Sequence, residues 1–203
     1  DMEGVAIVVT PLIALMKDQV DSLRRRGISA VAIHSGISTR KIDIELDNCV
    51  YGDVKFLYVA PERISSETFR ARMAKMNVSL VAVDEAHCIS QWGYDFRPSY
   101  LRIARIREVQ PGVPVLALTA SATGRVAGDI MVKLAFRSGT IIRSDFSRPN
   151  LSFTVRKTDD KKDQLLRVLN NVPGSGIIYM RTRDGAELLT KELREEGIDA
   201  QFY

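Results

Sequence analysis

The chain has 203 residues, of which 45% are hydrophobic and 27% charged, enough apolar content for a packed core and too much for wholesale disorder. Lysine and arginine number 29 against 25 acids, a net charge of +4. No apolar run approaches the roughly 20 residues of a membrane span, and no basic-then-apolar leader opens the sequence, so no membrane partner is expected. Cys49 and Cys88 permit at most one bridge, which excludes a disulfide framework and points to a reduced, cytoplasmic protein.

Short β-rich runs alternate with helix-period segments. Val5 to Val9 is a continuous apolar run, as a strand buried on both faces produces. Thr10 and Pro11 then open a helix, Thr10 as its cap, with Leu12, Leu15, Met16, Val20 and Leu23 on one face and Gly27 as its stop. A strand at Ala30 to Ile33, a helix over Ile42 to Val50, a strand at Lys55 to Val59 and a helix over Ser66 to Met76 follow. Val78 to Val83 is a strand whose apolar run ends abruptly on Asp84 and Glu85. Next come a helix over Tyr100 to Val109, a strand at Val113 to Leu118 and a helix over Gly124 to Phe136, and Thr140 to Arg143 closes the first block.

The stretch 145–150 carries a proline and no periodicity and is expected to be a linker. Beyond it the series resumes with strands at Leu151 to Val155, Gly176 to Met180 and from Ile198 to Tyr203. Two helices lie between them, with Leu165, Val168, Leu169 and Val172 on a face of the first and Ala186, Leu189 and Leu193 on a face of the second. Such alternation implies an α/β fold, a mostly parallel sheet with helices on both faces. The chain starts without methionine and stops inside an element, so it is expected to be a piece of something longer.

Function in such sheets collects at the carboxyl ends of strands. Asp84-Glu85-Ala86-His87 lies at one. Two carboxylates leaving a buried strand are costly unless their charge is used. Asp84 suits a nucleotide-bound Mg²⁺, a hard cation that takes oxygen ligands, and Glu85 could then orient or deprotonate a water. The alternative is an acidic first turn of a helix, favoured by the macrodipole. A zinc site around His87 and Cys88 would need more ligands than the chain has, since His34 is the only other histidine.

Four aromatics, including the only tryptophan, fall between 92 and 100 in a segment that Gly93 and Pro98 make a loop. Aromatics in a basic loop suit stacking on unpaired bases, at about 1–3 kcal/mol per base. A loop that buries its own aromatics as a small internal core is the rival. Arg97, Arg102, Arg105 and Arg107 crowd the same region, which suits a polyanion, although a solvated helix face explains them as well. Thr119, Ser121 and Thr123 follow another strand and could contact phosphate, bridge to the acidic site or cap the next helix. Thr10-Pro11 and Pro61-Glu62-Arg63 should line the same rim.

Taken together these segments resemble superfamily 2 helicases of the DEAH-box type, and specifically the RecQ DNA helicases. Val8 to Val20 resembles that family's motif Ia, Tyr58 to Arg63 motif Ib, Asp84 to His87 motif II, Gln91-Trp92-Gly93-Tyr94-Asp95-Phe96-Arg97-Pro98 its aromatic-rich loop, and Leu118 to Thr123 motif III. Phe146 to Asn150 resembles the linker between two RecA-like lobes, and Gly176 to Arg183, with Tyr179, Thr182 and Arg183, motif IV. The resemblance implies most of a first RecA-like lobe over 1–144, a linker over 145–150 and the opening of a second lobe over 151–203. It also implies ATP and Mg²⁺ as cofactors, and single-stranded DNA and duplex junctions as partners, with nucleoid or nuclear work in repair and recombination. Asp84 would bind Mg²⁺, Glu85 would position the hydrolytic water, and His87 with the loop residues Gln91, Trp92, Tyr94, Asp95, Phe96 and Arg97 would couple DNA contact to hydrolysis. Thr10, Pro11, Lys17, Arg63 and Thr119 would lie near the tracked strand, with Ser121 and Thr123 in motif III.

Three departures stand out. No glycine is followed by lysine, so the P-loop is absent from this chain. The sequence also halts before motifs V and VI, so these 203 residues alone are expected to be inactive. Tyr94 stands where the family loop usually carries histidine. A non-catalytic nucleic-acid-binding module is the alternative from another class, with a metal-dependent nuclease a weaker third.

Overall fold

The structure is a computed structural model that describes residues 3–144 and 148–203. Asp1–Ser144 and Asp145–Tyr203 form two separate compact units. The first is built on five strands, β1 (Val5–Val9), β2 (Ala30–Ile33), β3 (Phe56–Val59), β4 (Val78–Val83) and β5 (Val115–Ala117). Every neighbouring pair is parallel and the order is β2-β3-β1-β4-β5. The helices are α1 (Ile13–Arg25), α2 (Thr39–Tyr51), α3 (Glu67–Met73), the single turn α4 (Ile106–Val109) and α5 (Gly124–Lys133).

Alternation along the strands sorts these helices into two layers. Val8, Ala30, Ala32, Phe56 and Tyr58 pack with Met16, Val20 and Leu23 of α1. The opposite face presents Ile7, Val9, Leu57, Val59, Val81 and Val83 to Leu46, Phe69, Met73 and Ile130 of α2, α3 and α5. Each such side chain, fully buried, contributes about 1.5–3 kcal/mol by leaving water. The expected α/β class with helices on both faces is therefore realised. Both thiols are free and buried, and burial pushes Cys49 up to about 12, with Glu45 adding to the effect.

Several expected elements differ in detail. Residues 98–105 wind as a tight 3₁₀ stretch before α4, so Tyr100 to Val109 is not one α-helix. The first helix starts at Ile13, not at Pro11, with Leu12 at its cap position. Thr10 instead extends the ladder, its N–H donating to Val59 O at 3.2 Å, so it is no cap. Thr140 to Arg143, which closes the first block, has no regular secondary structure and is exposed.

In the second unit α6 (Lys161–Asn171) and α7 (Arg183–Glu195) are capped by Asp160 and Thr182. Lys162 Nζ pairs with Glu192 Oε2 at 3.1 Å. The strands expected at 151–155, 176–180 and 198–203 are not formed among the described residues of this unit. An apolar run becomes a strand only when another strand takes up its hydrogen bonds, and among the described residues these runs have none beside them. Their side chains stand in solvent, Phe153, Val155, Ile177 and Tyr179 among them. Of the expected linker 145–150, residues 145–147 lie outside the described residues. No described helix is long and apolar enough to cross a membrane.

His34 directly follows β2 at 5% exposure, and its Nδ1 accepts the Gly36 N–H at 3.0 Å. Burial lowers its pKa, helped by Lys17, Arg63 and Lys41 and opposed by Glu62. The folded state therefore favours the neutral ring, while the unfolded chain binds the proton more readily. Stability should be level above the ordinary histidine value of about 6.5, and should fall as pH drops below it until the folded pKa is passed. In His34→Gln the loss of melting temperature between pH 7.5 and pH 5.5 should be smaller than in the parent. An equal loss would remove His34 as its source.

Candidate functional site

The carboxyl ends of the five parallel strands form one rim, and the acidic turn occupies the tip of β4. Asp84 N–H still donates to Val9 O at 2.9 Å, so Asp84 is held by the central ladder. The chain then turns sharply. Glu85 lies in the left-handed region at φ 47°, a conformation that costs a residue with a Cβ about 1–2 kcal/mol. Three bonds hold this turn. Tyr100 Oη donates to Asp84 O at 2.9 Å, Glu85 N–H donates to Asp84 Oδ1 at 2.9 Å, and Ala86 N–H donates to Leu118 O at 2.9 Å. Burial pushes the Tyr100 phenol far upward, so it stays a donor. Residues Ala86–Ile89 then coil tightly into the core, and with only four residues in a 3₁₀ turn the acidic-helix-start alternative does not apply.

The carboxylates are both partly accessible but differently engaged. Asp84 Oδ2 accepts from Thr10 Oγ1 at 3.4 Å, and Thr10 is fully buried. Burial, with the Asp84 charge adding to it, pushes the Tyr58 phenol upward. Glu85 Oε2 lies 3.2 Å from His87 Nδ1, and the same nitrogen lies 3.1 Å from Thr119 Oγ1. A carboxylate only accepts, so Nδ1 carries a proton in this arrangement. His87 thereby ties the tip of β4 to the residues after β5. Its Nε2 is 3.8 Å from Cys88 Sγ, whose thiol burial and Asp95 push upward. No cluster of three metal-ligating side chains occurs among the described residues, which leaves the zinc alternative without support.

The three hydroxyls beyond β5 divide their work. Thr119 meets His87 and accepts the Ser121 N–H at 3.3 Å, Thr123 caps α5 by accepting from Val126 N–H, and Ser121 is exposed. Lys17 lies exposed on α1, and Pro11 is half-buried beside Thr10. Arg63 ends the short turn Pro61–Arg63 with its Nε buried and unpartnered. In the second unit Thr182 accepts from Gly185 N–H at 3.1 Å, and Tyr179 and Arg183 are exposed.

The loop after the turn does not bury its aromatics. Trp92 is 60% and Tyr94 98% exposed, Gln91 is exposed, and Asp95, Phe96 and Arg97 are half-buried. Only Tyr100 of the four aromatics is core. Arg97 forks onto Asp95 Oδ2 at 2.9 and 2.7 Å, and Arg97 N–H donates to Cys88 O at 2.8 Å. Arg107 donates to Leu134 O and covers Phe136, which leaves Arg102 and Arg105 as the exposed members of the arginine cluster. Sequence reasoning did not single out Arg125, Asp129 or Lys133 of α5, which contact this loop. Their four-residue spacing was visible but is also that of a solvated helix face.

Tyr100→Phe should leave Asp84 O short of its partner and lower unfolding free energy by about 1–3 kcal/mol in urea titration. An unchanged midpoint would show that the turn holds without it. A Cβ on Gly93 would clash with His87 O, so Gly93→Ala should displace the loop and destabilise the protein by about 1–3 kcal/mol. A neutral effect would contradict the close approach.

The sequence profile of the family described as DEAD/DEAH box helicase matches residues 1–130. Over 99% of its length the chain is 39% identical to the "ATP-dependent DNA helicase RecQ" of Pasteurella multocida and 42% identical to that of Bacillus subtilis. It spans about a third of the length of these curated relatives, 32% and 34%. Among solved structures, Mycobacterium smegmatis helicase Lhr bound to ssDNA and AMP-PNP superposes at TM-score 0.62 and 18% identity, covering 100% of this chain and 30% of that one, a likeness of fold. The strand-tip turn Asp84-Glu85-Ala86-His87 lies inside the matched span, and the chain belongs to the DEAD/DEAH box helicase family.

Proposed function

We propose that this chain is part of an ATP-dependent DNA helicase of RecQ type, which couples ATP hydrolysis to 3′-to-5′ movement on single-stranded DNA and to duplex unwinding. In this proposal residues 1–144 are the greater part of the first lobe, 145–150 the linker and 151–203 the opening of the second lobe. The observation that carries it is the strained turn at Glu85, which sets two carboxylates at the rim of a parallel sheet and links one of them through His87 to Thr119. Strain of this kind gathers at working sites, where surrounding bonds over-determine it.

Asp84 fits a magnesium ion. It is a half-exposed oxygen donor whose neighbours at Thr10 Oγ1 and Glu85 N leave lone pairs free. A nucleotide-bound Mg²⁺ held there would neutralise charge on the phosphates. Glu85 has a second carboxylate oxygen free to orient a water and take its proton, a role worth about 10²–10⁴-fold in rate. His87 and Thr119 position Glu85 and join it to the segment that starts α5. Lys17, Arg63, Pro11 and Thr119 lie at or near strand ends on the rim, where a single strand would pass, with Trp92, Tyr94, Phe96 and Arg97 beside it and Gln91 and Asp95 shaping the loop. Thr10, fully buried and bonded to Asp84, supports the acidic turn and does not meet the strand. Ser121 and Thr123 continue motif III, and Tyr179, Thr182 and Arg183 belong to motif IV of the second lobe. The DNA partner includes single strands and duplex junctions, and the protein works where chromosomal DNA is kept, in repair and recombination.

In the full-length protein Glu85→Gln should lower ssDNA-stimulated ATP turnover by about 10²–10⁴-fold while ssDNA affinity stays within a factor of about two. Turnover at the parent level would favour a non-catalytic DNA-binding module, in which the acids serve structure alone.

A further inference from the structure

One face of α5 holds the aromatic loop at three successive four-residue steps. Asp129 Oδ2 accepts from Ser90 Oγ at 2.6 Å, a bond that lowers the Asp129 pKa. Lys133 Nζ donates to Ile89 O at 3.2 Å and to Asp129 Oδ2 at 3.5 Å. Ser90 Oγ in turn accepts the Trp92 N–H at 3.1 Å, and Gly93 N–H closes a turn onto Ser90 O at 3.0 Å. The backbone beneath the tryptophan is thus fastened to the helix. The third step, Arg125, lies over the side chain itself, its Cζ 3.4 Å from the Trp92 ring centroid.

That is van der Waals contact, so the guanidinium backs one face of the indole. Trp92 is nevertheless 60% exposed, so much of the ring away from Arg125 is open to solvent. An exposed tryptophan would otherwise sample several rotamers, and binding a base would carry the cost of ordering it. A guanidinium plate, which stacks on aromatic faces as a lysine does not, removes that freedom beforehand. We infer that Arg125 is a positioning residue for Trp92, backing one face of the indole so that the opposite face is presented to an unpaired base. The inference rests on the proposal that this protein acts on single-stranded DNA. Arg125 makes no base contact of its own and acts through the ring.

The test is a fluorescence-anisotropy titration of the full-length protein with a labelled oligo-dT, without nucleotide, at several salt concentrations. Arg125→Ala should raise Kd by about three- to ten-fold. The slope of log Kd against log salt should not change, because no phosphate contact is lost. In a Trp92→Ala background, Arg125→Ala should add less than about two-fold, the signature of one coupled unit. A slope reduced by about one, with the same loss whether or not Trp92 is present, makes Arg125 a direct phosphate contact and overturns the inference. An unchanged or lower Kd for Arg125→Ala overturns it too. If the parent protein itself fails to bind the oligonucleotide, the DNA-binding proposal falls together with the inference. A failure confined to the Arg125 series leaves that proposal standing.

Discussion

The rim of this sheet depends on one backbone turn. Glu85 takes a left-handed conformation two residues past a strand buried on both faces, and without it the chain would carry its two carboxylates onward in an extended line. The turn costs energy locally and is held from three directions by Tyr100 Oη, Leu118 O and the Asp84 side chain. Because Tyr100 sits in the core, the position of the acids is set by packing rather than by the surface. A strained, partly exposed carboxylate pair on such a support serves chemistry better than it serves stability.

From this turn a continuous set of contacts runs outward. Glu85 meets His87, His87 meets Thr119, and the segment after Thr119 becomes α5, capped by Thr123. The same helix returns to the aromatic loop through Arg125, Asp129 and Lys133, while Arg97 N–H ties the loop's far end to Cys88 O. The acidic turn, the hydroxyl segment and the loop therefore close a ring. Under the proposed function, a shift of Glu85 on ATP turnover and a shift of Trp92 on meeting DNA would load the same elements, a physical route for coupling the two events.

Much of the fold was legible because its signals are local. The run Val78 to Val83 ending on two acids fixes a buried strand and the place of the carboxylates from adjacent residues alone. What failed was non-local. Thr10-Pro11 looks like a helix start, yet Thr10 is spent on the ladder to Val59 and on Asp84, a partner 74 residues away. The runs at 151–155 and 176–180 have the composition of strands, but a strand exists only with a neighbour, and composition does not say whether one is there. The grip of α5 on the loop was hidden for a related reason, since its charges at four-residue spacing look the same whether they face water or another segment.

The proposed function requires Asp84 and Glu85 to face a nucleoside triphosphate from the tip of β4. A crystal structure of the full-length protein with Mg²⁺ and a non-hydrolysable ATP analogue tests it most directly. A metal ion should lie within coordinating reach of the Asp84 carboxylate, and a water between Glu85 and the terminal phosphate. A nucleotide bound elsewhere, with both side chains turned away from it, would rule out a catalytic role for this acidic pair.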